Sequence, residues 1–312
     1  MQNFFDVLAK RLGVGSTELK TYLSTAHHRY KVFEIPKRGG KGTRVIAQPA
    51  KTLKIIQRNA LEMLELEGSV SSNAMAYRLG ISIKNNAEAH LNSNYLLKMD
   101  FKDFFPSIKP EDLTSRLNFE ELGFGFDEVT SRLLPRVFFW LKNRNGELQL
   151  SVGAPSSPLI SNFVMLQFDN EVNSYCKEYG VAYTRYADDL AFSTSEPERL
   201  YEVEKLIQKI ANDSVSPRLE INRKKTIHTS RKHNRHVTGV TLSEENKLSL
   251  GRSKKREISS LVFKYKTKTI TDIDSVNELK GWLSHANNIE PEFLARLSKK
   301  YGEEVITELI KV

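Results

Sequence analysis

A chain of 312 residues, 39% of them hydrophobic, can bury a sizeable core in one large domain or two to three modest ones. The single cysteine, Cys176, excludes an internal disulfide and the Cys-rich zinc frameworks, and fits a reducing cytoplasm. The N-terminal residues lack the apolar core of a signal peptide, and the longest strongly apolar run, residues 137–141, is far too short to span a bilayer. Secreted and membrane classes are therefore set aside. The net charge of +9 is unevenly placed: residues 221–270 hold 14 Lys and Arg against three Glu, and the rest of the chain is close to neutral. That block is interleaved with apolar residues such as Val237, Val240, Leu250 and Ile258, so it is expected to fold and present a basic surface to nucleic acid.

In chain order, residues 1–28 predict two short helices, with Ser16 as an N-cap and Glu18 in the first turn of the second. Residues 30–36 and 43–47 predict strands joined by a basic hairpin, Lys37-Arg38-Gly39-Gly40-Lys41-Gly42. Leu53, Ile56, Ala60, Leu61 and Leu64 recur at helical spacing. Residues 94–101 predict a strand, 126–141 a helix, 158–179 one long helix, 181–193 a β-hairpin and 200–210 a helix. Short strands are expected near 218–222, 236–242 and 246–250, with helices over the last 60 residues. No internal repeat or long linker separates these elements, so any domains pack closely.

The sharpest chemical feature is Tyr186-Ala187-Asp188-Asp189 between two alternating flanks, which puts two acids at the tip of a hairpin. Asp100 ends another apolar strand, upstream. Three carboxylates brought together repel one another unless a cation neutralises them, and Mg²⁺ prefers such oxygen ligands together with a substrate phosphate. Two ions about 3.5–4 Å apart would serve phosphoryl transfer. Asp103 is open between a metal neighbour, a surface acid, a helix cap and a backbone role on the phosphate side.

These motifs, in this order, resemble a reverse transcriptase. Asp100 matches the acid of motif A, Gly153-Ala154-Pro155-Ser156-Ser157-Pro158 motif B, and Tyr186-Ala187-Asp188-Asp189 motif C, while Asn222-Arg223-Lys224-Lys225-Thr226 is similar to motif D. The resemblance implies Asp100, Asp188 and Asp189 as ligands of two Mg²⁺. It further implies Lys37 and Arg44 on the incoming triphosphate, Phe105 as the gate against a 2′-OH, and Gly153 where the backbone approaches the nucleotide. Lys225, or Lys224, would be the proton donor to pyrophosphate. Val152 departs from the pattern, because many relatives carry Gln there and an apolar side chain cannot make its hydrogen bonds.

Two further signatures resemble retron reverse transcriptases: Asn86-Ala87-Glu88-Ala89-His90 upstream of motif A, and Val237-Thr238-Gly239 downstream of motif D. The resemblance implies a cognate structured noncoding RNA serving as template and primer. It also implies dNTPs as substrates, branched RNA-linked msDNA as product, and an accessory effector protein in anti-phage defence. Asn86, His90, Val237, Thr238 and Gly239, with the basic Lys254, Lys255 and Arg256, are the expected RNA-binding residues. His228, His233 and His236 have no acid or cysteine beside them in sequence, so RNA contacts are expected of them rather than zinc. Trp282 is left without a role.

The expected fold is α+β, a right-hand polymerase: N-terminal helices and fingers over 1–95, an RRM-like palm over 96–235, and a primer-grip region with a small, helical, basic thumb over 236–312. Two rivals stand beside it. One is another bacterial reverse transcriptase, of group II intron-like or abortive-infection type, and the other is a non-catalytic RNA-binding scaffold.

Overall fold

The computed structural model describes residues 1–37, 40, 42–143, 146–213 and 217–310. Arg38, Gly39 and Lys41 of the expected basic hairpin lie outside the described residues.

A four-stranded antiparallel sheet organises the molecule, in the spatial order Ile227–Ser230, Tyr95–Asp100, Asp189–Thr194, Ala182–Tyr186. Alternation along these strands gives the sheet two different faces. Leu97, Met99, Leu190, Phe192 and Tyr183 join the larger core, which also takes in Phe168 and Val172 of helix Leu166–Glu178 and Val203 and Ile207 of helix Arg199–Asp213. Leu96 and Ala191, from the alternate positions, belong to a second core built from Ala87 and residues 237–309. The sheet is therefore sandwiched between a helical layer and the C-terminal region.

The N-terminal helices Phe4–Leu12 and Ser16–Ser24 form as expected, but the cap assignment changes. Gly15 holds the N-cap position, and Ser16 lies inside the helix with its hydroxyl donating to Asp6. Helix Lys51–Leu64 buries all five residues of the predicted face. Strands Tyr30–Pro36 and Thr43–Pro49 pair in full register.

Several boundaries move. The predicted helix over 126–141 is Glu128–Phe138, after which Trp140–Leu141 turns into a short strand. The single helix over 158–179 is two, Ser157–Val164 and Leu166–Glu178, meeting at Met165. Its backbone sits at φ −83°, ψ −4°, while hydrogen bonds from Met165 N to Ser161 O and from Asp169 N to Met165 O carry across the joint. Near 218–222 there is only a single bridge, Ile221 to Phe101, because the chain there runs beside the end of the Asp100 strand and then turns into Arg223–Lys225. The sheet's fourth strand is instead Ile227–Ser230, which the sequence did not announce.

The C-terminal region opens with a small sheet, Arg235–Val237, Val240–Leu242 and Leu248–Ser249, followed by helices Arg252–Lys266, Ile273–Ile289, Pro291–Tyr301 and Glu303–Ile310. Asp272 caps the second of these by accepting from Ser275 N at 2.8 Å. Among the described residues no helix is long and apolar enough to cross a membrane.

Candidate active site

Strand register gathers the acids. Tyr186 pairs with Asp189, closing a two-residue turn of Ala187 and Asp188, and Asp100 pairs directly with Asp189 across the neighbouring strand. The amide of Phe101 donates to the Asp188 carbonyl at 3.0 Å. Directly paired residues share a face, so Asp100 and Asp189 project on the same side, with Asp188 at the tip.

The electrostatics show the strain of this arrangement. Burial, followed by the Asp188 and Asp100 charges, pushes the Asp189 carboxyl up to about 6. Burial, and then Asp100, raises Asp188 as well. Asp100 is nearly enclosed: Asn222 Nδ2 donates to its Oδ1 at 3.2 Å, and Lys225 Nζ to its Oδ2 at 2.7 Å. That hydrogen bond holds the Lys225 ammonium above its usual range. Among the described residues no three His, Cys, Asp or Glu side chains converge enough to grip a metal as they stand, and Lys225 occupies Asp100. The donor set still fits a hard cation, being all oxygen and carrying carboxylates whose charge is opposed by burial and by one another.

Beneath the turn lies a buried network absent from the sequence reading. Arg185 forms a bidentate pair with Asp169, Nε to Oδ1 at 2.8 Å and Nη2 to Oδ2 at 2.7 Å. Both side chains are fully buried. Tyr183 Oη donates to the same carboxylate at 2.7 Å, and Arg185 Nη1 reaches both Asn162 Oδ1 and the Ala187 carbonyl at 3.2 Å. Ala187 holds a left-handed φ of 58°, so this guanidinium clamps a strained turn. The signal available in sequence was a charged residue inside an apolar strand, which burial permits only when it is paired.

Facing the acids is the expected nucleotide side. Gly153 has φ 122°, and a Cβ there would lie 2.9 Å from Ile46 Cγ2 and 3.3 Å from the Ala47 carbonyl, so only glycine fits this junction of fingers and palm. Ala47 N donates to Val152 O at 2.9 Å, locking the fingers hairpin to the loop. Phe105 is half-buried, its ring edge-on to Phe104. Lys37 and Arg44 are exposed at the open end of the hairpin, and the charge of Arg44 acts on Asp188. Tyr77, which sequence reasoning passed over, sets its ring 6.4 Å from that of Phe105. Asp103 precedes the short helix Phe104–Ser107 at φ 43°, without a side-chain capping bond.

The two retron-like signatures meet in space. Asn86 Nδ2 donates to Thr238 Oγ1 at 3.3 Å, and Thr238 and Gly239 form the left-handed turn between strands Arg235–Val237 and Val240–Leu242. His90 is fully buried between Ser193 Oγ at 2.8 Å and Thr184 Oγ1 at 2.7 Å, on the strands that carry the acidic turn. A side chain without exposed surface offers no face to RNA, so direct contact by Asn86, His90 and Val237 is corrected to a positioning role, and only Thr238 and Gly239 reach the surface. The basic helix is revised too. Lys254 pairs with Glu257 at 2.7 Å and lies 3.8 Å over the Trp282 ring, and Lys255 pairs with Glu290 at 3.1 Å, whereas Arg256 is exposed. His228 does have an acid beside it, accepting or donating with Glu204 at 2.7 Å, and it stacks on Tyr201. A groove of about 1270 Å³, its lining mixing cations such as Arg231, Arg252 and Lys254 with acids such as Glu244, Glu245 and Glu290, runs between the small sheet and helix Arg252–Lys266.

Comparison with known proteins identifies the family. The family described as reverse transcriptase (RNA-dependent DNA polymerase) matches residues 35–242. The chain is 46% identical to the Retron Ec83 reverse transcriptase of Escherichia coli, over 90% of each chain. It is 30% identical to the Retron Ec86 reverse transcriptase of Escherichia coli, over 99% of this chain and 93% of the other. Among solved structures, telomerase from Candida albicans aligns at 11% identity with a TM-score of 0.48, covering 90% of this chain and 60% of that one. With Asp100 and Asp189 paired across neighbouring strands beside the Asp188 turn, and sequence identity running nearly end to end, the chain belongs to the reverse transcriptases, RNA-directed DNA polymerases, of the retron type.

Proposed function

We propose that this polymerase copies a cognate structured noncoding RNA, which serves as both template and primer, into branched, RNA-linked msDNA. The observation that carries the chemistry is the register that sets Asp100 against Asp189 beside the Asp188 turn. Asp100, Asp188 and Asp189 would hold two Mg²⁺, which when bound would supply charge neutralisation at the reacting phosphate. A primer hydroxyl attacks the α-phosphorus in line, one P–O bond forming as the bond to the pyrophosphate oxygen breaks. At initiation that hydroxyl is the 2′-OH of an internal guanosine, and afterwards it is the growing 3′-OH.

The chain's own residues then take these parts. Lys37 and Arg44 hold the triphosphate, Arg44 with a planar fork suited to phosphate oxygens. Phe105 excludes a 2′-OH, and Gly153 admits the nucleotide close to the backbone. Lys225, kept protonated by its acidic neighbours, donates to the departing pyrophosphate once Asp100 no longer needs its charge. Lys54 and Arg58 beside the nucleotide cavity, with the exposed Arg256 of the C-terminal region, track RNA phosphates. The same proposal includes action in the cytoplasm with an accessory effector protein in anti-phage defence. Its support is the likeness to retron reverse transcriptases.

The test is to sequence the nucleic acid that copurifies with the protein, then supply the recovered RNA with dNTPs and Mg²⁺. A DNA product joined to RNA through a 2′ branch, released by debranching enzyme, is the expected result. DNA made only from an annealed 3′-OH primer would remove the retron reaction and leave a general reverse transcriptase.

A further inference from the structure

Tyr77 is an anomaly in its surroundings. A bulky aromatic residue at φ 61° is a backbone outlier, and its side chain is half exposed instead of filling a core. Strained positions persist only where neighbours over-determine them, and here they do. Met75 N donates to Arg185 O at 2.7 Å, Asn162 Nδ2 donates to Ala76 O at 2.9 Å, and Arg78 Nη1 donates to Ala74 O at 3.2 Å. The buried Arg185, Asp169 and Asn162 network that clamps the acidic turn thus also fixes the segment presenting Tyr77.

What the ring faces is a cavity of about 290 Å³, which it lines together with Phe105, Val152, Gly153, Lys54 and Arg58. That volume is near the roughly 300 Å³ lower end of small-ligand pockets. Its walls carry two cations and no acid, which suits a phosphorylated ligand. Phe105 closes the sugar side. Tyr77 sits beside it, the two ring centroids 6.4 Å apart, within reach of the Asp188 and Arg44 charges, and so on the side of the incoming nucleotide. Val152 leaves this pocket without the amide that many relatives place there, so flat aromatic surface is the means at hand to hold a base.

We propose that Tyr77 is a substrate-binding residue of the polymerase reaction, its ring stacking on the base of the incoming deoxynucleotide beside the Phe105 gate. This rests on the nucleotide site assigned above to Phe105, Gly153 and Arg44. Stacking accepts every base, so Tyr77 raises affinity for all four dNTPs alike, while sugar choice stays with Phe105.

Single-nucleotide incorporation on an annealed generic primer-template, with Mg²⁺, tests it in wild type, Tyr77→Phe and Tyr77→Gly. The Gly variant should raise KM for each dNTP about tenfold with kcat within about threefold, and leave the ratio of dNTP to rNTP use unchanged. Because glycine relaxes the left-handed backbone, its melting temperature should equal or exceed that of wild type. The Phe variant should keep the wild-type KM. An unchanged KM in Tyr77→Gly would overturn the proposal. So would a kcat loss at constant KM, which would make Tyr77 a prop for the Asp188 turn, or a KM penalty that follows the templating base and not the incoming one. A wild-type protein that extends no primer would overturn the nucleotide-site reading and this proposal with it. Wild-type extension with a normal Gly variant overturns this proposal alone.

Discussion

Asn86 donates its side-chain amide to the Thr238 hydroxyl at 3.3 Å, joining two segments 152 residues apart in sequence. The helix Ile83–Glu88 thereby holds the exposed Thr238–Gly239 turn, while His90, just beyond it, grips the strands of the acidic turn. One short element thus ties the Thr238–Gly239 turn to the strands of the acidic turn. Asn86→Ala should impair initiation on the cognate RNA at least fivefold more than extension of a generic primer-template. Equal losses in the two assays would assign Asn86 to the fold alone.

His90 gives a pH dependence whose sign is fixed by burial. Its pKa is lowered from 6.5 to about 4, so the folded protein binds the proton less readily than the unfolded chain. The stability tied to neutral His90 is fully present above pH 6.5 and is lost as pH falls toward 4, by about 3 kcal/mol in order of magnitude. In His90→Gln, denaturant midpoints between pH 6.5 and 4 should fall less steeply than in wild type. Parallel profiles would contradict the assignment.

Asp100 and Asp188 carry charge that nothing nearby replaces. Asp100→Asn or Asp188→Asn should lower Mg²⁺-dependent dNTP incorporation by several orders of magnitude while retaining the fold by circular dichroism. Loss of Asp100's charge also removes the Lys225 ion pair, but Lys225 is largely exposed, so the stability change should stay within about 1 kcal/mol. Activity within tenfold of wild type would defeat the assignment.

Phe105 packs against Phe104 and Tyr77 with part of its ring open. Phe105→Ala should raise rNTP use relative to dNTP by an order of magnitude or more, measured as the ratio of kcat/KM values. A constant ratio in a folded variant would return Phe105 to packing.

The basic helix should contribute unevenly to RNA affinity. Lys254 and Lys255 already have acidic partners, whereas Arg256 is exposed. Arg256→Ala should therefore reduce the salt slope of RNA binding by nearly one unit, and Lys255→Ala by clearly less. Similar slopes for both variants would show that RNA displaces the Glu290 partner.

Much of this site was written locally. The acidic turn is encoded by alternating flanks around Tyr186-Ala187-Asp188-Asp189, and the face of helix Lys51–Leu64 by its period, because each signal lies within a few residues. The order of the motifs sufficed to name a polymerase. The tertiary structure decided what depends on which distant strands meet. Register set Asp100 opposite Asp189, and the short Arg223–Lys225 turn brought Lys225 to Asp100. Burial turned Asn86 and His90 from expected RNA contacts into supports, and the acids Glu257 and Glu290 quieted two of three basic residues. Periodicity reports which way a side chain faces along its own element. It carries no information about what another element will place against that face, and so the Arg185 to Asp169 pair and the strained Tyr77 came to light only in the folded chain.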